Sequence, residues 1–147
     1  QNNWIAAEGY ILATKKQVAS LEKLQEQREK QQLSEKKLLQ LEKLEKKYHA
    51  DFLTNHDTIP ANEFTEDGVN NSAIYKIKDK YFYRKGEQHK KIFEPPHLLI
   101  REIVGQKSIP IEYREDYLTF TNQIVGIHAP KDEEKKLRQI EAIIKNR

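Results

Sequence analysis

The chain has 147 residues, 33% of them charged and 37% hydrophobic, and a formal net charge of +3. That suits one ordinary domain with some extra length, polar enough that a sizeable part is solvated on most sides. Cysteine is absent, which excludes disulfides and thiolate metal sites and agrees with a cytoplasmic setting. No apolar run approaches the roughly 18 residues that a membrane helix needs, so no membrane partner is expected. Methionine is missing too, position 1 included, and we read the chain as a piece of a longer polypeptide.

The first sixteen residues lack a basic start and a long apolar core and so do not read as a signal peptide. From residue 11 to about 52 there is no proline or glycine, and helix formers dominate. Val18, Leu21 and Leu24 mark one apolar stripe; Leu38, Leu41, Leu44 and Tyr48 mark a second. Between them, residues 25–32 carry nothing apolar. The pattern fits either one long helix packed at both ends or two helices in a hairpin, meeting near Leu33 with Ser34 as a cap. Such an arm spaces two domains, pairs with a partner helix, or packs on its own domain.

Residues 54–72, rich in Asn, Asp and Thr, read as a connector. Beyond it the apolar period changes from 3.6 to 2. Residues 73–78 and 81–85 read as a strand hairpin turning at Asp79 and Lys80. Residues 97–104 form a dense apolar run typical of a buried strand. Residues 108–113 alternate, with Ile109, Ile111 and Tyr113 on one face and Pro110 marking an edge or bulge. One or two further strands are expected over 117–127. Pro130 and Asp132 open a last helix with Leu137, Ile140 and Ile144 on its apolar face. The expected class is α+β: an N-terminal long helix or helical hairpin, then a small mixed, irregular β-sheet domain with a C-terminal helix. The expected organisation is an arm over 1–53, a connector over 54–72 and a sheet domain over 73–147.

Charge is uneven. Between residues 72 and 107 there are nine basic residues (Lys76, Lys78, Lys80, Arg84, Lys85, Lys90, Lys91, Arg101 and Lys107) against four acids, a local excess of +5. A polyanion-binding face requires such an excess, because lysines and arginines that neutralise phosphates release condensed counterions. In the expected hairpin, Lys78 faces Tyr81 and Lys76 faces Tyr83 on one side, with Tyr75, Ile77, Phe82 and Arg84 on the other. That makes one face basic and aromatic. Its alternative is a solvated lysine face with tyrosines covering a sheet edge.

Catalytic signals are weak. His49, His56, His89, His97 and His128 share no ligand spacing, and His49 and Asp51 would point apart on a helix. The five glycines are isolated, so there is neither a phosphate loop nor a nucleophile elbow. Glu112, Glu115 and Asp116 could be imagined as a nuclease-type cluster, but acids on an exposed turn are ordinarily solvated. We therefore expect no catalytic residue, no metal site and no cofactor in this chain.

From about Tyr75 onward the sequence resembles a known family. A basic aromatic lead-in, YFYRKGEQHKKIF, is followed by Pro96 and the apolar Leu98, Leu99, Ile100 and Arg101. Next come a strand over 109–113 and a segment with Phe120, Asn122, Ile124, Gly126 and Ile127. A helix running from Leu137 to Ile144 closes the pattern. In order and spacing this resembles the specificity, or target recognition, domain of adenine-specific DNA methyltransferases. The Taq-type enzymes and single-chain restriction-modification enzymes carry that domain after the catalytic one. The resemblance covers roughly half the chain.

The resemblance implies a mixed α/β unit that reads duplex DNA, together with a catalytic domain, in the same or a partner chain, that holds S-adenosylmethionine. Residues 94–97, EPPH, look superficially like that family's catalytic signature but lack its first residue and its aromatic. The DNA-binding set implied is Lys76, Lys78, Tyr81, Tyr83, Arg84, Lys85, Lys90, Lys91, Arg101, Lys107, Asn122 and Gln123. In it the lysines sit on phosphates, the arginines suit guanine, and Asn122 and Gln123 suit adenine. Arg101 could equally make a structural ion pair, and Asn122 and Gln123 a turn. Two other readings stay open: a coiled-coil interaction module with self-association through the arm, and a general RNA or single-strand binder.

Overall fold

The computed structural model describes residues 3–84, 87–101 and 108–146, with only the backbone at 84 and 87–89. In chain order the elements are β1 (Ile5–Glu8), β2 (Ile11–Leu12), α1 (Lys15–Glu29), α2 (Glu35–Tyr48), β3 (Asp57–Ile59), β4 (Phe64–Thr65) and β5 (Gly68–Val69). Then follow β6 (Tyr75–Lys76), β7 (Phe82–Arg84), α3 (Glu87–Phe93), β8 (His97–Arg101), β9 (Ile111–Arg114), β10 (Thr119–Phe120), β11 (Ile124–His128) and α4 (Glu134–Lys145). Short 3-10 turns lie at Ala61–Glu63, Asn71–Ala73 and Lys131–Glu133. This is the expected α+β class, and the arm takes the hairpin form.

The hairpin follows from its caps and its seam. Thr14 accepts from Gln17 N and the Gln17 side chain accepts from Thr14 N, a reciprocal box that starts α1. Ser34 accepts from Lys37 N and starts α2. The polar stretch 25–32 offers no apolar face to continue the packing, and the chain reverses there with Gln31 at φ 56°. Leu21, Leu41 and Tyr48 are buried between the helices, with Leu24, Leu33, Leu44 and Tyr81 around them. Burying each leucine contributes about 1.5–3 kcal/mol.

Arg28 clamps Glu45 through two hydrogen bonds of 2.8 and 3.0 Å, and Gln25 donates to the same carboxylate at 2.9 Å. The Arg28 bond, helped by Gln25, holds the Glu45 carboxyl below its ordinary value of 4.5. A lowered folded value means that the stabilisation is complete above 4.5 and is lost as the pH falls through the lowered value. Amide exchange in α1 and α2 is therefore expected to speed up relative to the sheet as the pH drops below 4.5. Glu45→Gln should give faster exchange already at pH 7 and remove that part of the pH dependence. Identical profiles for the two proteins would refute the assignment.

The main sheet runs β1-β11-β8-β9, antiparallel throughout. The strand β8 is central and covered on both faces, which is why HLLIR is dense rather than alternating. Leu98 and Ile100 face α4, where Leu98, Ile111, Ala129 and Leu137 form one buried cluster with Trp4, Tyr113 and Ile127. Leu99 and Ile124 face the larger core, with Phe64, Phe82, Ile92, Phe93 and Phe120. Gly126 lies under the Phe120 ring; a Cβ there would come within 2.5 Å of Phe120 Cζ.

Two expectations are corrected. Residues 1–53 are not helical throughout: β1 pairs with β11, Ile5 opposite His128. Four residues of the 54–72 segment, Ile59, Ala61, Phe64 and Val69, are buried in the larger core, so it does more than connect. Thr58, Tyr10 and Thr119 tie it in: the Tyr10 hydroxyl lies 2.9 Å from Thr58 Oγ1, and Thr119 Oγ1 donates to Asp57 O at 2.8 Å. Polar composition hid this, because single apolar residues spaced along irregular backbone leave no periodic signal.

Candidate nucleic-acid interface

The expected strand hairpin over 73–85 does not form. Instead β6 pairs with β3, Lys76 opposite Asp57, and β7 pairs with β2, Phe82 opposite Leu12. Asp79 and Lys80 lack the residue tolerant of a left-handed backbone that a tight hairpin turn needs. The backbone between the two strands is occupied elsewhere: Ile77 N donates to His56 O at 3.0 Å, and Ala13 N donates to Tyr81 O at 3.3 Å. Lys78 and Tyr81 are thus not cross-strand partners, and neither are Lys76 and Tyr83.

What remains is an exposed strip along the chain. Tyr75 is 54% exposed and Tyr83 47%, while Ile77 and Phe82 are buried beneath. Lys76, Lys78 and Lys80 are exposed, and Lys76 reaches Asp57 at 3.3 Å. Tyr81 is turned away into the helical hairpin, where its hydroxyl accepts from Gln25 at 3.2 Å. Lys47, which the sequence pattern does not single out, joins the strip from α2. Its Nζ lies 6.0 Å from the Tyr83 ring centroid and 5.5 Å from that of Tyr48. No sequence signal links α2 to β7 at this point; only the fold brings them together.

The other expected contacts are dispersed. Lys90 and Lys91 are exposed on α3, a separate element that packs on β1 and β11, and Lys91 lies 3.8 Å from Glu94. Lys85 and Lys107 lie outside the described residues, as does the Arg84 side chain. Asn122 and Gln123 sit in the turn between β10 and β11, and Asn122 N donates to Tyr10 O at 2.9 Å.

Arg101 is not presented as a free reading residue. Its Nη1 donates to the carbonyls of Ala61 and Phe64, the latter at 3.1 Å. A half-buried guanidinium thus satisfies two carbonyls of an irregular segment, in place of the side-chain ion pair that was the other expectation.

The carboxylates near residue 114 are equally engaged. Arg114 binds Glu112 at 2.8 Å, Asp116 at 2.8 and 2.9 Å and Asn71 at 2.7 Å, and Arg138 binds Glu115 at 2.9 Å. Burial pushes the Asp116 carboxyl up, but the bond to Arg114 and its charge outweigh that and leave it below the ordinary aspartate value. These acids act as braces. Among the described residues no group of His, Asp and Glu could hold a metal ion.

His97, in the EPPH segment, is fully buried, its Nδ1 and Nε2 lying 2.7 and 2.8 Å from the carbonyl oxygens of Ile92 and Asp116. Burial pushes its pKa down. It joins the end of α3 to the turn after β9. His49 caps α2 and, contrary to the helical expectation, meets Asp51 at 2.6 Å, because the helix has ended. No described helix is long and apolar enough to cross a membrane. Comparisons with protein-family models, curated proteins and solved structures find no match to this chain.

Proposed function

We propose that this chain binds duplex DNA as the target recognition part of an adenine-specific DNA methyltransferase or restriction-modification enzyme. The observation that carries the reading is the exposed basic and aromatic strip of Tyr75, Lys76, Lys78, Lys80 and Tyr83, with Ile77 and Phe82 buried between them. Lysines there hold phosphates and set the register. Among the described side chains, Asn122 and Gln123, on one turn, are the remaining groups suited to base edges. Methyl transfer and S-adenosylmethionine belong, on this reading, to a catalytic domain outside the chain, which itself catalyses nothing and works in the cytoplasm. Self-association through the arm is less favoured, because the apolar seam of α1 and α2 is turned inward and Leu39, 60% exposed, stands alone on α2.

The test is a titration against random duplex DNA at several salt concentrations, with Lys76, Lys78 and Lys80 all changed to alanine in the variant. Binding should weaken steeply with salt. The slope of log K against log salt should fall by about 0.9 for each phosphate that the variant no longer neutralises. Absence of binding at low salt would overturn the proposal. Stronger binding to single strands than to duplex would move it to the general nucleic-acid class.

A further inference from the structure

The second helix of the hairpin carries an exposed basic stripe. Lys36, Lys43 and Lys47 are seven and four residues apart, which places them within about 40° of one another around the helix. They stand about 10.5 and 6 Å apart along the axis at 1.5 Å per residue. All three are exposed, as is Gln40 between them. The acids of α2, Glu35, Glu42 and Glu45, each fall about 80° or more from the nearest lysine of this stripe, and Glu45 is held by Arg28. Among the described residues none of the three lysines forms an ion pair with a carboxylate.

The stripe does not end in isolation. At its foot the Lys47 ammonium sits over the rings of Tyr48 and Tyr83, and Tyr83 belongs to the exposed strip described above. The bridge between His49 and Tyr81 fixes α2 against that strip. We propose that the Lys36, Lys43 and Lys47 face of α2 is a second phosphate-contacting surface, continuous with the 75–83 strip, so that a DNA duplex lies across both. Tyr48 and Tyr83 hold Lys47 in place before the duplex arrives, which lowers the entropy cost of ordering it. The proposal rests on the reading of the strip as a DNA surface.

The experiment measures anisotropy of a labelled random duplex against the wild-type chain and three variants, over a salt series. The first variant combines Lys36→Ala, Lys43→Ala and Lys47→Ala; alanine is the best helix former, so α2 should persist, as circular dichroism will report. The second changes the same three lysines to arginine. The third, Lys23→Ala on α1, is the control. Expected are a roughly tenfold or greater loss of affinity for the alanine triple and a salt slope reduced by about one for each lysine. The arginine triple and the control should behave as wild type. Wild-type binding with an unchanged alanine triple overturns the inference and leaves the strip reading standing. An arginine triple as weak as the alanine triple also overturns it, because charge would then not be the cause. If the wild-type chain binds no duplex at low salt, both readings fall together.

Discussion

Replacing Gly9 by alanine should destabilise the protein by about 3 kcal/mol or more, the upper part of the range for overpacking. At 147 residues that corresponds to a melting temperature lower by roughly 6–12 °C. Gly9 is buried where the chain leaves β1, and its N donates to Ile124 O at 3.0 Å. A Cβ at this position would lie 2.0 Å from Phe120 O and 2.4 Å from Thr121 O. Both are backbone atoms, so no side-chain rotation relieves the clash, and β10 or β1 must move. Since Asn122 N donates to Tyr10 O next door, the turn holding Asn122 and Gln123 shifts with it. Urea unfolding of Gly9→Ala beside Ala6→Gly, an exposed change on the same strand, checks this. A cost under about 1 kcal/mol for Gly9→Ala would show that the close approach is not needed.

Arg101→Met is expected to cost about 2–3 kcal/mol, because it leaves the Ala61 and Phe64 carbonyls without their charged donor. Arg101→Lys should recover only part of this, since an ammonium cannot reproduce the fixed fork of the guanidinium. The expected effect on DNA is indirect: weaker binding in proportion to the unfolded fraction, and unchanged preference among base pairs in the folded protein. A variant of wild-type stability that loses discrimination at one base pair would restore Arg101 as a reading residue. Equilibrium unfolding and competition between duplexes of different sequence, measured on the same samples, separate the two roles.

Several elements were legible because local chemistry decides them. The Leu21, Leu41 and Tyr48 seam, the Ser34 cap and the Leu137, Ile140 and Ile144 face of α4 carry helical spacing in the residues themselves. The dense run in β8 announces a strand covered on both faces. The helix α3 was missed: it is seven residues long, sits in a basic stretch and buries, among its described side chains, Ile92 and Phe93, too short a window for a period to show. Strand pairing was missed for a different reason. Tyr75 and Phe82 have strand-like neighbours, but their partners, Thr58 and Leu12, lie far off in sequence.

The candidate site divides along the same line. Residue type and spacing mark the 72–107 window as basic and aromatic, exclude thiol chemistry and place helical stripes on either side of a strand-rich middle. Charge, residue type and period are local properties, and each is carried by the residues that show it. Which of those residues stay exposed was settled by packing between distant segments. It turned Tyr81 into the hairpin, spent Arg101 on the carbonyls of Ala61 and Phe64, and brought Lys47 from α2 onto Tyr83. Those outcomes depend on satisfying buried backbone groups and filling space between segments far apart in the chain. No local pattern encodes that competition.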